Sequence, residues 1–281
     1  MSEFPMQKLH KVELLLAKEL DRICKKYDLK YFILAGTLLG AIRHKGFIPW
    51  DEDMDFGMMR SDYEKFLEVA PQELDPQVFF LQTLDSDDHY PKAYAKLRLV
   101  NTHIKEYTMR NCDCMDGIFI DLFPMDFVPA DVQAQKKAQK QRFLWNAMLD
   151  FKCGNDSILN HKEVIRKTLR FASHFFSRKH MVNKKKEIYG HVDDQPTAQI
   201  VTAQGSYGYF KEIIPYAYTK EIVYYPFEDL QLPGFKDYDG YLTSFYHDYM
   251  QIPPKSAQNK HTILKLDFGP YENDPRFKEE G

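Results

Sequence analysis

The sequence predicts an α+β protein, in which a mixed β-sheet is flanked by helices and followed by a helical lobe. Three observations support this class. Short apolar runs alternate with amphipathic stretches over the first 128 residues, residues 131–190 are basic and helix-forming, and Pro, Tyr and Gly dominate from residue 205 onward. Alternation between the strand period of two and the helix period of 3.6 favours a sheet that is covered by helices.

The first 70 residues contain most of the predicted helices and strands of the sheet region. Apolar residues recur three and four positions apart from Leu9 to Ile23, which predicts an amphipathic helix. Ser61 is a natural N-cap for a later helix. In chain order we expect a helix over 6–27, a strand over 31–34, a turn at Gly36-Thr37, a helix over 38–44, a strand over 53–59 and a helix over 61–69.

Further strands are predicted over 79–84 and within 94–107. A third strand, short and buried, is predicted over 117–123, where we expect Pro124 to close it. The four cysteines (Cys24, Cys112, Cys114 and Cys153) form no paired framework, so we expect them to be reduced. Cys112-x-Cys114 lacks the additional ligands that a structural zinc site needs.

Composition limits the classes of function. With 281 residues the chain can bury a large core, and 44% apolar and 28% charged residues are ordinary values for a soluble enzyme. A formal net charge of −3 argues against a broad surface for nucleic acid. We find no apolar run near the roughly 18–20 residues that cross a bilayer, and no signal-peptide core at the N-terminus. These observations predict a cytoplasmic protein.

Three carboxylates alternate at Asp51, Asp53 and Asp55, and the last two lie in the strand predicted over 53–59. Side chains two apart on a strand point to the same face, so Asp53 and Asp55 can converge on one point. Two converging carboxylates repel unless they are protonated or share a cation. Oxygen ligands of this kind suit Mg²⁺ or Mn²⁺. The alternative is that the acidic stretch is a solvated turn.

A Gly-Thr turn precedes this acidic stretch by about a dozen residues. Gly36 lets the backbone approach a phosphate, and the helix that begins after Thr37 favours negative charge at its N-terminus. Gly36 and Gly40 do not form a Walker loop, because no Gly-Lys-Ser/Thr follows them. The two elements together indicate a metal-dependent site of the nucleotidyltransferase type.

The sequence around these residues resembles the LicD family, which includes phosphocholine transferases and fukutin-related proteins. The resemblance spans nearly the whole chain in the expected order. It implies a nucleotidyltransferase-like mixed sheet and the transfer of a phospho-alcohol from a CDP-activated donor onto a glycan. The matching segments are AGTLLGAIRHKGFIPWDEDMDFGM (35–58), SDYEKF (61–66), AKLR (95–98) with Asn101-Thr102, GIFIDLFPMD (117–126), PFE (226–228), Leu232-Pro233, YDGYL (238–242), Tyr249-Met250, and Pro253-Pro254 with His261.

Asp121 lies in an otherwise apolar strand, where an unpaired buried charge would be costly. It therefore needs a cation or a hydrogen-bond donor nearby, and one interpretation is a purely structural Asp held by a Lys or by backbone amides. The nucleotidyltransferase architecture instead places a third acid on a neighbouring strand. There Asp121 would share the metal with Asp53 and Asp55, or take a proton from the acceptor hydroxyl. We favour the base, with metal contact as a secondary role.

Basic residues are expected to face the donor phosphates. Lys96 and Arg98 share one face of a strand by the period of two. Arg43 lies one helical turn beyond Leu39, and any one of these cations could equally be a solvated surface group. The resemblance adds His261, and together with Gly36, Thr37 and Asp51 these residues form the predicted substrate-binding set: Gly36, Thr37, Arg43, Asp51, Lys96, Arg98 and His261. His44 is as often structural as functional in such a position, and we expect Trp50 to pack under the acidic turn as core.

The resemblance implies phosphocholine transfer from CDP-choline onto a sugar hydroxyl of a cell-surface glycan or teichoic-acid precursor, with release of CMP. CDP-ribitol, CDP-glycerol and CDP-ethanolamine are rival donors. A choline head would want an aromatic cage, for which Tyr207, Tyr209, Tyr216 and Tyr218 are candidates. Two other functions stay open: a nucleotidyltransferase that places a nucleoside monophosphate on a small acceptor, and a non-catalytic glycan-binding protein.

We predict a nucleotidyltransferase-like core over 1–128, a helical lobe over 129–190, and a C-terminal segment over 191–281 that returns to the site. The basic stretch 134–186 within the lobe has two interpretations. Such faces are usually only solvated. The alternative is peripheral contact with the inner membrane leaflet, where basic residues gain attraction towards an anionic lipid-linked acceptor.

Overall fold

A mixed sheet of seven strands lies at the centre of the protein. The structure is a computed structural model, and it describes residues 4–155, 163–189, 197–258 and 263–277. Its strands in chain order are β1 (Phe32–Ile33), β2 (Asp55–Met59), β3 (Phe79–Gln82), β4 (Ala95–Leu99), β5 (His103–Glu106), β6 (Phe119–Phe127), β7 (Gln199–Thr202), β8 (Ile213–Pro215), β9 (Ile222–Phe227), β10 (Leu230–Phe235) and β11 (Ile263–Asp267).

The helices in chain order are α1 (Met6–Lys26), α2 (Ala35–Arg43), α3 (Arg60–Glu73), α4 (Val132–Lys152), α5 (Glu163–Ser173), α6 (Arg178–Tyr189) and α7 (Tyr238–Tyr246). The predicted α+β class is confirmed by this mixture of elements. Among the described residues we find no helix that combines the length and the apolar character needed to cross a bilayer.

The sheet has the strand order β1-β2-β6-β4-β3, in which β2 and β6 are parallel and the other pairs are antiparallel. Strand β6 is the longest of them, and β4 and β7 share one of its edges. β4 pairs with its first half and β7 with its second half. Strands β7 and β8 thus bring the C-terminal segment back to the sheet, while the predicted domain limits stay a prediction.

Helix α1 confirms the periodicity seen in the sequence. Leu9, Val12, Leu16, Leu20 and Ile23 are all fully buried. This stripe packs against α3 and against β4 and β6 of the sheet. Because the stripe covers one face of the helix, burial of apolar area fixes the orientation of α1 on the sheet. Two charged residues, Lys8 and Glu13, are buried with it.

The predicted turn at Gly36-Thr37 and the predicted start of the following helix are wrong. Helix α2 begins at Ala35, so Gly36 and Thr37 lie in its first turn. The chain reverses one residue earlier, where Ala35 has a φ of 42° and its N–H donates to the Tyr241 hydroxyl at 3.1 Å. A positive φ is unfavourable for a residue with a Cβ, and such strain is typical of functional sites.

Helix α3 also starts earlier than predicted, and Ser61 is not its N-cap. Strand β2 runs directly into the helix at Arg60, and Met59 occupies the cap position without a side-chain hydrogen bond. The Arg60 side chain is buried and forms an ion pair with Asp126. The tertiary contact of Arg60 therefore sets the start of this helix, in place of local capping.

Pro124 does not end the third predicted strand, because β6 continues to Phe127. Pairing with β4 stops at Leu122, and pairing with β7 starts at Met125. The Pro124 carbonyl accepts a hydrogen bond from Ala203 N–H at 3.0 Å on that same edge. Proline lacks an N–H, and here the missing donor falls in the gap between two edge partners, where no ladder bond is lost.

Three helices, α4, α5 and α6, lie within the range 129–190 that is predicted as a helical lobe, and residues 132–155 and 163–189 are called the lobe below. Helices α4, α5 and α6 enclose a small second core of Met148, Leu149, Cys153, Met181 and Val182. Two buried ion-pair networks tie this lobe to the sheet region. One joins Asp126 to Arg60 and Arg142, and the other joins Asp150 to Lys92.

Candidate active site

Three carboxylates meet at one end of the parallel strand pair. Asp55 of β2 and Asp121 of β6 are direct partners in the register of the two strands. Asp53 lies two residues before Asp55, just ahead of the strand. One carboxylate oxygen from each of the three residues lies within 4.8 Å of the other two. The structure therefore brings together the three acids predicted to hold a metal.

The backbone around these acids is fixed by hydrogen bonds from neighbouring elements. The Thr37 hydroxyl of α2 accepts from Asp55 N–H at 2.8 Å, and the Asp55 carbonyl accepts from Leu34 N–H at 2.9 Å. On the other strand, Asp121 N–H donates to the Met54 carbonyl at 2.9 Å. Thr37 thus acts on Asp55 through its side chain, and it links the start of α2 to the acidic strand.

Burial and mutual repulsion make these carboxylates hard to ionise together. Burial, followed by the charges of Asp53 and Asp121, raises the pKa of Asp55 well above its usual range. Burial raises the pKa of Asp121 to about 6, although the Lys96 ammonium counteracts that shift. A divalent cation would remove this repulsion and stabilise the ionised forms.

The donor set fits a hard cation. All the converging atoms are carboxylate oxygens, which suit Mg²⁺ or Mn²⁺. The Asp121 Oδ1 atom is buried and accepts no well-oriented hydrogen bond from the described residues. The Lys96 ammonium lies 2.8 Å from that atom as an ion-pair partner. An oxygen of this kind retains lone pairs for a metal.

Asp51 lies against the first turn of α2. A Cβ built on Gly36 would come within 2.3 Å of Asp51 Oδ2, so only glycine leaves room for this carboxylate. The amides of the first turn of a helix favour negative charge. The place where the sequence predicts donor phosphate is therefore directly beside the Asp51 side chain, and the roles of Gly36 and Asp51 towards a donor stay predictions.

Two residues of α1 support the acidic stretch from behind, and the sequence reasoning missed both. His10 stacks on Phe47 with ring centroids 3.8 Å apart, and its Nε2 lies 2.8 Å from the Asp51 carbonyl. Burial lowers the pKa of His10 to about 4, so the ring is neutral at pH 7 and donates this bond. Burial and then the charge of Asp53 raise the pKa of Glu13 well above its usual range. Polar residues on the buried side of an amphipathic helix are the sequence signal that could have identified His10 and Glu13.

The predicted basic residues lie in different places. Lys96 faces Asp121 on the neighbouring strand, in register with it.

Arg98 is buried and donates from Nε to the Gln82 side chain at 2.6 Å and from Nη1 to the Gly117 carbonyl. Arg43 donates to the carbonyls of Tyr249 and Gln251. These contacts favour structural roles for the two arginines, one in the sheet and one holding the C-terminal loop.

His261 lies outside the described residues. His44 is partly buried and meets Trp50 edge to face, with ring centroids 6.1 Å apart. Trp50 is itself partly buried and packs against the main core, as predicted. The four cysteines are free, also as predicted, and Cys24, Cys112 and Cys153 are buried.

Two tyrosines, Tyr207 and Tyr246, lie near the acidic trio. The Tyr207 hydroxyl donates to the Tyr246 hydroxyl at 3.0 Å. Burial raises the pKa of both phenols, and the charge of Asp55 adds to each shift. Of the four tyrosines suggested for a choline cage, Tyr207 is the one that belongs to this pair. The others lie elsewhere: Tyr209 beside Arg142, Tyr216 against Phe127 and Tyr218 near Phe235.

Comparison with known proteins points in one direction. Residues 28–147 match the family model described as LicD/FKTN/FKRP, nucleotidyltransferase domain. The lipopolysaccharide cholinephosphotransferase LicD of Haemophilus influenzae is 30% identical over 243 residues, which are 86% of this chain and 89% of that protein. Uncharacterised proteins of Rickettsia typhi and Rickettsia prowazekii are 46% and 44% identical over 57 residues. That stretch covers 20% of this chain and 18% and 21% of theirs.

Proposed function

We propose, because this chain belongs to the LicD family, that it transfers phosphocholine from CDP-choline to a sugar hydroxyl of lipopolysaccharide or a related cell-surface glycan. CMP would be the second product. The observation that carries this proposal is the convergence of Asp53, Asp55 and Asp121 at the end of one parallel strand pair. Three converging carboxylates can hold the metal that phosphoryl-type transfer needs.

The acidic trio is the proposed metal site. A Mg²⁺ or Mn²⁺ ion held by Asp53, Asp55 and Asp121 would supply neutralisation of charge on the donor pyrophosphate. In phosphoryl-type transfer the protein contributes little covalent chemistry, so positioning and electrostatic stabilisation dominate catalysis. The rigid hydrogen bonds to the backbone of Asp55 and Asp121 provide that positioning.

Asp121 is the proposed general base. In the reaction the acceptor oxygen forms a bond to the phosphorus of phosphocholine, the bond from that phosphorus to the CMP oxygen breaks, and the acceptor proton passes to Asp121. A general base must be ionised before it can accept a proton. The Lys96 ammonium at 2.8 Å and a bound divalent cation would both favour the ionised form of Asp121.

We propose choline as the alcohol, with support from aromatic side chains near the site and from a relative. A quaternary ammonium binds to the faces of aromatic rings by cation–π attraction. The Tyr207–Tyr246 pair lies close enough to Asp55 for that charge to act on both phenols. The Haemophilus relative, by its name, also transfers choline phosphate to lipopolysaccharide.

The proposal is tested by a donor screen and by two variants. We expect CDP-choline with Mg²⁺ to raise the melting temperature more than CDP-ribitol, CDP-glycerol or CDP-ethanolamine. Asp53→Asn and Asp55→Asn should each lower CMP release about a hundredfold or more while the fold is kept. The matched control is Asp229→Asn, which changes an exposed carboxylate paired with Lys18.

Two results would contradict this assignment. One is that no CDP compound stabilises the protein. The other is wild-type turnover by Asp53→Asn or Asp55→Asn when the metal is limiting. If mass spectrometry found a nucleoside monophosphate on the acceptor and pyrophosphate as the product, the nucleotidyltransferase alternative would replace it.

A further inference from the structure

Helix α5 presents an apolar ridge to solvent. Val164 is 79% exposed, Phe171 is 66% exposed and Phe175, just beyond the helix, is 71% exposed. Positions 164, 171 and 175 are seven and four residues apart, so they lie on one face of the helix. The rings of Phe171 and Phe175 touch, with centroids 5.1 Å apart. Phe171 and Phe175 thus form one exposed aromatic pair, and Val164 extends the same face two turns away; clustered exposed apolar side chains of this kind indicate an interaction surface.

The orientation of α5 is fixed by its opposite side. Ala172 packs against the core of the lobe, and Ser173 is buried. The helix lies along α4, with which it shares most of its tertiary contacts. The ridge therefore faces outward because the other side of the helix is already packed, and none of the described residues covers it.

Basic groups flank the ridge. Lys167 and Arg170 are exposed on α5, and Lys167 forms an exposed ion pair with Glu163 at 2.6 Å. Across 132–155 and 163–189 the sequence has thirteen Lys and Arg residues and three Asp and Glu residues, whereas the whole chain has a net charge of −3. Positive charge is thus concentrated in the lobe that carries the ridge, on a molecule that is otherwise acidic.

We propose that α5 docks the protein onto an anionic phospholipid bilayer. Val164, Phe171 and Phe175 would enter the region between headgroups and acyl chains, while Lys167 and Arg170 meet the lipid phosphates. An amphipathic helix with aromatic residues on one side and basic residues on the other binds the membrane interface in this way. Anionic headgroups attract a basic surface over about a Debye length.

Charge also decides between occupants of the ridge. A second copy of this chain would bring one basic lobe against another, so the two ridges would meet under repulsion. An anionic surface instead has the complementary sign and offers an apolar layer of suitable depth. The proposal goes beyond the transfer reaction. Vesicle binding is measured without donor or acceptor, so a failure to bind membranes is distinct from a failure of the proposed function.

The test is flotation of the full chain with vesicles. We expect binding to phosphatidylcholine vesicles that contain about one third phosphatidylglycerol, and binding about tenfold weaker to pure phosphatidylcholine or at high salt. Phe171→Ser with Phe175→Ser should weaken binding to the anionic vesicles about tenfold or more, and Lys167→Gln with Arg170→Gln should reduce its salt dependence. CMP release with a soluble acceptor should be unchanged in both double variants.

The matched control is Ile252→Ser with Leu264→Ser, which removes two exposed apolar side chains outside the lobe. It should bind vesicles as the wild type does. Equal vesicle binding by the Phe171/Phe175 variant and the wild type would overturn the proposal. So would equal binding to neutral and anionic vesicles, or a dimer seen by light scattering that needs both phenylalanines and is accompanied by no vesicle binding.

Discussion

Asp121 illustrates how a single residue acquires chemistry from its neighbours. Its strand is apolar, and Lys96 pairs with it across the sheet while Asp53 and Asp55 face it from the other side. The same carboxylate could serve mainly as a metal ligand or mainly as the base. The two roles differ in what excess metal can restore.

We predict that Asp121→Asn abolishes most CMP release and that saturating Mg²⁺ does not restore it. Asn keeps an oxygen for the metal but cannot accept the acceptor proton at neutral pH. Turnover should be measured over a series of Mg²⁺ concentrations, together with CDP-choline binding, which should survive. Full rescue by excess metal would assign Asp121 to metal binding and leave the proton to another group.

His10 gives the site a defined dependence on pH. In the unfolded chain a histidine takes up a proton near pH 6.5, whereas burial lowers the pKa of His10 to about 4 in the folded protein. Between these values the unfolded state binds more protons, so stability is full above pH 6.5 and is lost as the pH falls towards 4. The cost amounts to about 2 kcal/mol by pH 5.

We therefore predict that His10→Gln reduces the loss of stability between pH 7 and pH 5 by about 2 kcal/mol. Gln retains a side-chain N–H for the Asp51 carbonyl but does not titrate. Urea unfolding at a series of pH values measures the difference, and the carboxylates titrate equally in both proteins. Parallel curves for the two proteins would show that His10 contributes nothing to the pH dependence.

At the scale of elements, helix α2 contains two glycines with different neighbours, Gly36 in its first turn and Gly40 further along. A Cβ at Gly36 would meet the tip of the Asp51 side chain, whereas a Cβ at Gly40 would lie 2.4 Å from the backbone oxygen of Gly46. A side-chain tip can swing aside, but backbone held in place by the core cannot. An added side chain should therefore have different effects at the two positions.

We predict that Gly36→Ala folds with nearly wild-type stability but loses donor affinity, because the Asp51 carboxylate is displaced. Gly40→Ala should instead destabilise the fold by about 1–3 kcal/mol through overpacking. Each variant serves as the control for the other, with thermal unfolding and CDP-choline titration as the two measurements. A Gly36→Ala protein that binds donor normally would remove Asp51 and Gly36 from the binding site.

At the scale of the whole molecule, one buried carboxylate connects the sheet with the helical lobe. Asp126 of β6 accepts from Arg60 Nε and Nη2 at 2.7 and 3.0 Å, and Arg142 Nη2 lies 3.5 Å away. The Arg142 guanidinium also lies over the Tyr189 ring of α6 at 4.5 Å. Four elements thus share one charged group with little access to water.

We predict that Asp126→Asn lowers the free energy of unfolding by about 3–5 kcal/mol, because two buried guanidinium groups lose their buried counter-ion and Arg60 keeps only the half-exposed Glu64. Urea unfolding measures this change. The exposed pair Lys236–Glu221 provides the control, since Glu221→Gln should leave the midpoint nearly unchanged. A similar midpoint for both variants would mean that the Asp126 network does not contribute to holding the lobe on the sheet.

The sequence by itself determined much of this protein. Helical periodicity from Leu9 to Ile23 predicted α1, and the basic stretch after residue 131 predicted the helices that follow. The alternation of acids predicted that Asp53 and Asp55 converge. The family was also readable from local motifs, and the comparisons confirm it. These features are encoded in residues close together in the chain, so spacing alone reports them.

The tertiary structure decided what depends on distant residues. Ala35 begins α2 in a strained conformation with Tyr241 bound to its amide, and Pro124 is tolerated because β4 and β7 end on either side of it. Arg98 was predicted to face the donor, yet its contacts with Gln82 and Gly117 lie within the sheet region. Such contacts join residues far apart in sequence, and burial, which sets the pKa of Asp121 and His10, exists only once the chain has folded.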